Sequence, residues 1–211
     1  MSAVSCTREK LLAKLEKRKI ALEGKRERVY YFKMISLVSP EESAPPQKEC
    51  IRLFLKDDGV FPNNVKVPLV LHRQVVPTAG GSATAQAMET IFKENGWEPQ
   101  WHGSLYTVHH YHATTHEAIG VLSGEATVQF GGPQGPEIRV SAGDAILIPA
   151  GVAHCLKTST GFRAIGAYPP GCTPDMCVGA AAERPGADHA IRQAPLPQCP
   201  ENVLPSRRLF A

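Results

Sequence analysis

The alternation of apolar and polar positions predicts short β-strands across the centre of the chain. From residue 105 to residue 168, apolar and β-branched runs alternate with glycine-containing turns. The predicted strands are Leu105 to Tyr111, His116 to Leu122, Ala126 to Phe130, Ile138 to Val140, Ala145 to Ile148 and Phe162 to Tyr168. Several short strands at this spacing are typical of a sandwich or a jelly-roll barrel, so the pattern predicts an all-β domain.

Two further strands and one helix are predicted on the N-terminal side of these runs. Cys50 to Leu55 and Lys66 to Val76 have the composition of extended segments. Ser82 to Asn95 has apolar residues at helical spacing, and Gly96 follows as a stop signal. The inner face of this helix is predicted to carry Ala85, Met88, Ile91 and Phe92. We expect the helix to be an accessory to the barrel.

The two ends of the chain differ from its centre. Thr7 to Arg28 has a helical pattern with a narrow apolar stripe, and Ser39 to Gln47 is a proline-containing linker. After Tyr168 the chain is rich in proline and glycine. We therefore expect residues 1–47 to form a helical arm and linker, residues 48–170 the barrel with its accessory helix, and residues 171–211 a tail that wraps the barrel.

Positive charge is concentrated in the N-terminal arm. Residues 1–33 carry ten Lys or Arg against four Glu, whereas the whole chain has a net charge of +3. A basic arm could bind nucleic acid or an acidic membrane. A narrow apolar stripe needs only one neighbour, however, so a solvated helix packed on the barrel or on a second subunit is favoured. No nucleic-acid or membrane partner is expected.

The sequence carries no pattern typical of secretion or membrane insertion. The longest nearly apolar run, Ala145 to Leu156, is interrupted by Pro149, Gly151 and His154 and is too short to cross a bilayer. Charged residues around Leu11 and Leu12 argue against a secretory signal. The six cysteines are scattered and are interpreted as reduced thiols. These features predict a cytoplasmic protein.

The candidate chemistry lies in a cluster of histidines. Five of the eight histidines of the chain fall between residues 109 and 154. Side chains two residues apart share one face of a strand, so His110 and His112 can bind the same metal ion. Glu117 follows a short connection and can return beside them. Farther along, a turn from Pro149 to Gly151 precedes His154 and can direct it to the same interior.

These residues resemble the two motifs of the cupin superfamily. The first family motif, Gly-x5-His-x-His-x(3,4)-Glu-x6-Gly, matches at His110, His112, Glu117 and Gly124. The second, Gly-x5-Pro-x-Gly-x2-His-x3-Asn, matches at Gly143, Pro149, Gly151 and His154. Ser104 stands in place of the leading glycine and Thr158 in place of the closing asparagine. Neither of these two positions is a metal ligand in the family pattern.

A narrower resemblance covers residues 50 to 200. Three segments are similar to the bacterial YjlB-type cupins: residues 62–64 (Pro-Asn-Asn), residues 112–117 (His-Ala-Thr-Thr-His-Glu) and residues 168–171 (Tyr-Pro-Pro-Gly). The resemblance implies a cupin jelly-roll β-barrel and, commonly in the family, a homodimer. It leaves the reaction open, because cupins include dioxygenases, isomerases, decarboxylases, storage proteins and sensors.

The resemblance also implies one divalent transition metal ion near the centre of the barrel. Its ligands would be His110, His112, Glu117 and His154. Three imidazoles and one carboxylate suit iron(II), manganese, nickel, zinc or copper, and they disfavour calcium and magnesium. The identity of the metal ion stays open.

Catalytic residues are less defined than the metal ligands. His116 is a weak candidate for a proton carrier or a partner of Glu117, although an outward-facing side chain is favoured. Tyr106 shares strand parity with His110 and is the second weak candidate. Three looser candidates for the pocket lining are Trp101, His102 and Tyr168, for which a buried aromatic wall is the alternative.

Several functions are compatible with this pattern. A metal-dependent enzyme of the oxygenase type, acting on an unidentified small molecule, is favoured. The alternatives are a metal-dependent isomerase or epimerase and a non-catalytic protein that binds a metal or small ligand. A nucleic-acid or membrane adaptor acting through the basic arm ranks last.

Overall fold

Antiparallel β-structure dominates the part of the chain that the structure describes. A computed structural model describes residues 49–78 and 81–195. Its strands are β1 (Cys50–Leu55), β2 (Asn64–His72), β3 (Glu98–Gly103), β4 (Glu117–Phe130), β5 (Glu137–Ser141), β6 (Ala145–Ile148) and β7 (His154–Tyr168). Its helices are α1 (Gly81–Glu94), a 3-10 turn (Ala181–Glu183) and α2 (Gly186–Gln193). The predictions of an all-β jelly-roll fold and of an accessory helix near residues 82–95 are confirmed.

Strand β4 is the centre of the sheet. The hydrogen-bonded strand order is β1-β2-β6-β4-β7-β3, and β5 also pairs with β4. The first part of β4 pairs with β6, with Glu117 opposite Ile148. Its whole length pairs with β7, and at its far end Phe130 lies opposite His154. Both motifs therefore meet on this strand.

The alternation along β4 separates two apolar layers. Ile119 and Val121 point into the cluster inside the barrel, whereas Ala118 and Leu122 belong to the cluster under α1. This division follows from the two-residue period of a strand. At Gly120, an added Cβ would lie 2.3 Å from Cγ of Met88, so α1 packs directly on the β4 backbone.

Several predicted strands differ from the observed ones. Strand β7 starts at His154, well before the predicted Phe162, and β2 ends at His72 rather than at Val76. Residues 105–111 form no regular strand; only isolated bridges occur, between His110 and His154 and between Tyr111 and Cys177. The predicted strands 116–122 and 126–130 are one strand, because shifts of register with β7 let β4 continue past Gly124. Strand β3 was not predicted, since Pro99 and Gly103 obscure its pattern, and it forms by pairing with β7.

The ends of the chain lie largely outside the described residues. The predicted arm of residues 1–47 and the tail beyond residue 195 fall there, so the domain boundaries stay predictions. Within the described tail, Arg184 binds both carboxylate oxygens of Asp57, at 3.1 and 2.6 Å. In the described ranges, none of the helices has the length and apolar character to cross a bilayer.

Candidate metal centre

Four side chains of the two motifs are buried close together. His110 and His112 come from the irregular segment between β3 and β4, and Glu117 is the first residue of β4. His154 is the first residue of β7. Their exposed fractions are 3% for His110, 7% for His112, 2% for Glu117 and 1% for His154. The two motifs are therefore brought into one interior.

Backbone contacts fix the histidines on the two segments. The amides and carbonyls of His110 and His154 bond to each other, with N to O distances of 3.2 and 2.9 Å. The N–H of Gly151 donates to the carbonyl of His112 at 2.8 Å. Gly151 has a φ of +89°, which only glycine adopts readily, and this turn leads the chain into β7. The turn thus ties both motifs together, as the sequence predicts for His154.

Each of the three imidazoles has its Nδ1 beside a backbone carbonyl. Nδ1 of His110 lies 3.1 Å from the carbonyl oxygen of Val108, and Nδ1 of His154 lies 3.2 Å from that of Val152. Nδ1 of His112 contacts the carbonyl oxygen of Asp175. A carbonyl can only accept, so these contacts assign the proton to Nδ1 and leave a lone pair on Nε2. Metal-binding histidines are commonly oriented in this way.

The two oxygens of Glu117 have different surroundings. Oε1 accepts hydrogen bonds from the Tyr168 hydroxyl at 2.6 Å and from Nε1 of Trp101 at 3.2 Å. Oε2 is buried and has no hydrogen-bond partner among the described residues, and the same holds for Nε2 of His154. Oε2 lies 3.6 Å from Nε2 of His112 and 3.4 Å from Nε2 of His154. One oxygen is anchored and the other faces the imidazoles.

The charges of the cluster favour an anionic carboxylate with a cation beside it. Burial alone would raise the pKa of Glu117, but contacts with His112 and His154 hold that pKa well below its usual range. Burial also lowers the pKa of His112, yet the neighbouring Glu117 leaves it above its usual value. Burial, together with the nearby His154, lowers the pKa of His110 to about 4. A positive charge opposite Glu117 therefore stabilises this cluster.

These residues fit a divalent transition metal ion. One ligand atom each of His110, His112 and His154 lies within 4.8 Å of the others, a spacing that could hold an ion. Buried polar atoms without partners are costly, and a cation between Oε2 of Glu117 and Nε2 of His154 would satisfy both. The mixed nitrogen and oxygen donors match the metals that the sequence suggests.

The two weak catalytic candidates lie in different environments. His116 is buried, with 1% of its surface exposed, so the favoured prediction that it faces outward is wrong. Its Nδ1 accepts from the amide of Ala150 at 3.0 Å and thereby braces the turn before His154. Tyr106 is 59% exposed, and its ring meets that of His110 edge-on with centroids 5.2 Å apart. Of these two candidates, Tyr106 is the one that lies between solvent and a candidate ligand.

The three looser candidates for the pocket lining lie in two different places. Trp101 and Tyr168 contact the Glu117 carboxylate, whereas His102 lies beside Glu89 at the surface, 3.3 Å away. Asp175, whose carbonyl contacts His112, is not among the site residues predicted from the sequence. Its position in a proline- and glycine-rich segment gave no periodic signal, so only the fold brings it to the site.

Similarity to known proteins agrees with this geometry. The family described as "Cupin domain" matches residues 99–164. The uncharacterised protein YjlB of Bacillus subtilis (strain 168) is 41% identical over 152 residues, which cover 72% of this chain and 88% of YjlB.

Two solved structures are similar to this chain at low sequence identity. The dTDP-6-deoxy-D-glucose-3,5-epimerase RmlC of Legionella pneumophila is 14% identical over 64% of this chain and 75% of its own, with a TM-score of 0.31. The ribosomal oxygenase YcfD of Escherichia coli is 16% identical over 66% of this chain and 43% of its own, with a TM-score of 0.30. Likeness at this level bears on neither activity nor ligand. With its two histidine motifs and its extended similarity to YjlB, the chain belongs to the cupin family and is YjlB-like.

Proposed function

We propose that this cupin is a metal-dependent enzyme of the oxygenase type that acts on a small molecule. His110, His112, Glu117 and His154 would hold one divalent transition metal ion. The observation that carries the proposal is the pair of buried atoms without hydrogen-bond partners, Oε2 of Glu117 and Nε2 of His154, beside two further imidazoles. No described residue forms a hydrogen bond with either atom, whereas a metal ion between them would bind both.

The donor set supports a reactive rather than a closed metal site. A bound ion would act as a Lewis acid or oxygen activator, and a six-coordinate ion with four protein ligands keeps about two positions open. The chain's own contribution is orientation, because carbonyls of Val108, Val152 and Asp175 hold the Nδ1 atoms. Burial of the ligands also keeps bulk water away from the site.

Tyr106 is our candidate for contact with the substrate. Its side chain is exposed and lies edge-on to His110, so a small molecule approaching His110 from solvent would meet it. His116 is a weaker candidate, since Nδ1 is engaged by the Ala150 amide. Replacing Tyr106 with Phe should change substrate affinity or turnover while metal content stays as in the unmodified protein.

The first test is the metal content of untagged protein, measured by mass spectrometry. We expect close to one ion per chain, lost in His112→Ala and in Glu117→Ala. His102→Ala is the matched control, because His102 lies at the surface and should leave the metal content unchanged. Protein that contains no metal, and takes up none of iron(II), manganese, nickel, zinc or copper on reconstitution, would refute the proposal.

The reaction class needs a second measurement. Protein loaded with iron(II) should consume oxygen when it is mixed with a small-molecule extract, and His112→Ala protein should not. If zinc- or manganese-loaded protein instead converts a component of the extract without oxygen uptake, the chain is an isomerase or epimerase. Stoichiometric metal with neither result would favour a non-catalytic binding protein.

A further inference from the structure

We propose that Tyr168 and Trp101 are positioning residues that restrict Glu117 to one-oxygen binding of the metal ion and so keep a coordination position open. The inference rests on the proposed metal site. It goes beyond the ligand set, because it concerns two aromatic residues that would not touch the ion. Neither residue belongs to the two family motifs that carry the ligands.

Three hydrogen-bond contacts join Tyr168, Trp101 and Glu117, and two of them end on Oε1 of Glu117. The Tyr168 hydroxyl has one proton, and its 2.6 Å distance to Oε1 of Glu117 shows where that proton is donated. The single N–H of Trp101 is shared between Oε1 at 3.2 Å and the Tyr168 oxygen at 3.1 Å. A short bond from a hydroxyl to a carboxylate is among the stronger hydrogen bonds of proteins. Oε1 is therefore held, and Oε2 alone remains available.

Regular strands hold both donors in place. Trp101 is on β3 and Tyr168 ends β7, and Trp101 is paired with Gly166. A Cβ added at Gly166 would lie 2.0 Å from Nε1 of Trp101, so the indole lies directly on the β7 backbone. Tyr168 is 3% exposed, and its ring packs edge-on to that of His112 with centroids 5.8 Å apart. Donors fixed in this way resist rotation of the carboxylate.

Rotation matters because a carboxylate can bind a metal ion through one oxygen or through both. Two-oxygen binding by Glu117 would fill a position that an external molecule could otherwise occupy. Holding Oε1 in two hydrogen bonds makes that mode unfavourable, since both lone pairs of this oxygen are in use and at least one bond would have to break. The positioning residues thus act on the number of open positions rather than on the presence of the ion.

The test uses cobalt(II)-loaded full-length protein and azide as the external ligand. The visible absorption of cobalt(II) changes with its ligands and their geometry, and azide binds only at a position that Glu117 leaves open. We expect Tyr168→Phe and Trp101→Phe to bind cobalt with an altered visible spectrum and to bind azide about tenfold more weakly, comparable with the loss of metal affinity or activity when partners of metal ligands are removed.

Tyr111→Phe is the matched control. Tyr111 is also fully buried, and its hydroxyl also donates to a carboxylate, that of Glu183, at 2.8 Å. The Tyr111→Phe variant should lose about as much stability in the metal-free state as the Tyr168→Phe variant. It should keep the cobalt spectrum and the azide affinity of the unmodified protein.

The outcomes separate this inference from the proposed function. If the unmodified protein binds one cobalt ion and the Tyr168 and Trp101 variants match it in spectrum and azide affinity, only the inference is overturned. Equal changes in Tyr111→Phe would also overturn it, because the effect would then be a general loss of stability. If the unmodified protein binds no cobalt, the proposed metal site itself fails, and the inference with it.

Discussion

The backbone carbonyl of Asp175 contacts Nδ1 of His112, so a residue of the C-terminal segment sets the orientation of a candidate ligand. The Asp175 side chain strengthens this link, because Oδ1 accepts from the amides of Ala113 and Thr114 at 2.9 and 3.0 Å. It also accepts from the Thr114 hydroxyl at 2.8 Å. Asp175 lies outside residues 99–164, which match the family, so the candidate site extends beyond them.

Replacement of Asp175 should weaken metal binding without removing a ligand. In Asp175→Ala the carbonyl remains, but the three bonds that hold it against the His112 segment are lost. We expect metal affinity to fall about 10-fold to 100-fold, as for other residues that orient metal ligands. Competition with a chelator measures this directly. Asp175→Asn keeps an acceptor at Oδ1, so its metal affinity should lie between that of the unmodified protein and that of Asp175→Ala. An unchanged metal affinity in Asp175→Ala would contradict the role of Asp175 in orienting His112.

A methyl group at Gly166 should disturb the packing of β3 on β7. The added Cβ would overlap the Trp101 indole, and overpacking of this kind typically costs about 1–3 kcal/mol of unfolding free energy. Gly103→Ala is the matched control, because a Cβ there has nothing within 4 Å. Urea denaturation monitored by tryptophan fluorescence compares the two. Equal stability of the two variants would show that the indole can move aside freely.

Truncation of Met88 should loosen α1 from the sheet. Met88 is fully buried against Gly120, and removal of such a side chain typically costs about 2–5 kcal/mol of unfolding free energy. Met176 is 53% exposed, so Met176→Ala should change stability by no more than about 0.5 kcal/mol. Thermal or chemical unfolding of both variants tests the contrast. A small loss for Met88→Ala would mean that α1 contributes little to the core.

Acid should weaken the attachment of the described C-terminal segment to the barrel. The Arg184 guanidinium holds the pKa values of Asp57 and Asp188 below their ordinary value of 3.8. A carboxylate with a lowered folded-state pKa stabilises the protein above its unfolded-state pKa and loses this effect as pH falls through the folded-state value. Arg184→Met should therefore be less stable than the unmodified protein at pH 6.

The same comparison near pH 3 should show a smaller difference, because pH 3 lies below the unfolded-state pKa of about 3.8 and the stabilisation from the lowered folded-state pKa values is then being lost. Unfolding by urea at the two pH values gives the required free energies. A difference that is constant with pH would show that Arg184 acts through packing of its side chain rather than through its charge. High salt at pH 6 should reduce the difference as well, since the ion pairs are partly exposed.

Local sequence patterns predict a large part of the fold. Cys50 to Leu55 and Ala145 to Ile148 are strands with the predicted bounds, and α1 lies within one residue of its predicted start and end. In these elements the spacing of apolar residues matches the period of the strand or helix that forms. Residues 105–111 are also predicted as a strand, but their ladder pairing is limited to isolated bridges to His154 and Cys177. The apolar pattern of a segment does not indicate whether a partner strand is available along the whole segment.

By itself, the sequence determined which residues have metal-ligand chemistry, because their spacing and the turn from Pro149 to Gly151 are local properties. Only the tertiary structure decided which atoms of these residues meet. His154 lies opposite Phe130, at the far end of β4 from Glu117, yet their side chains are 3.4 Å apart. Closure of the curved sheet is what joins them. Likewise, the hydrogen bonds of Tyr168 and Trp101 to Glu117 depend on distant segments packing together, which no local pattern encodes.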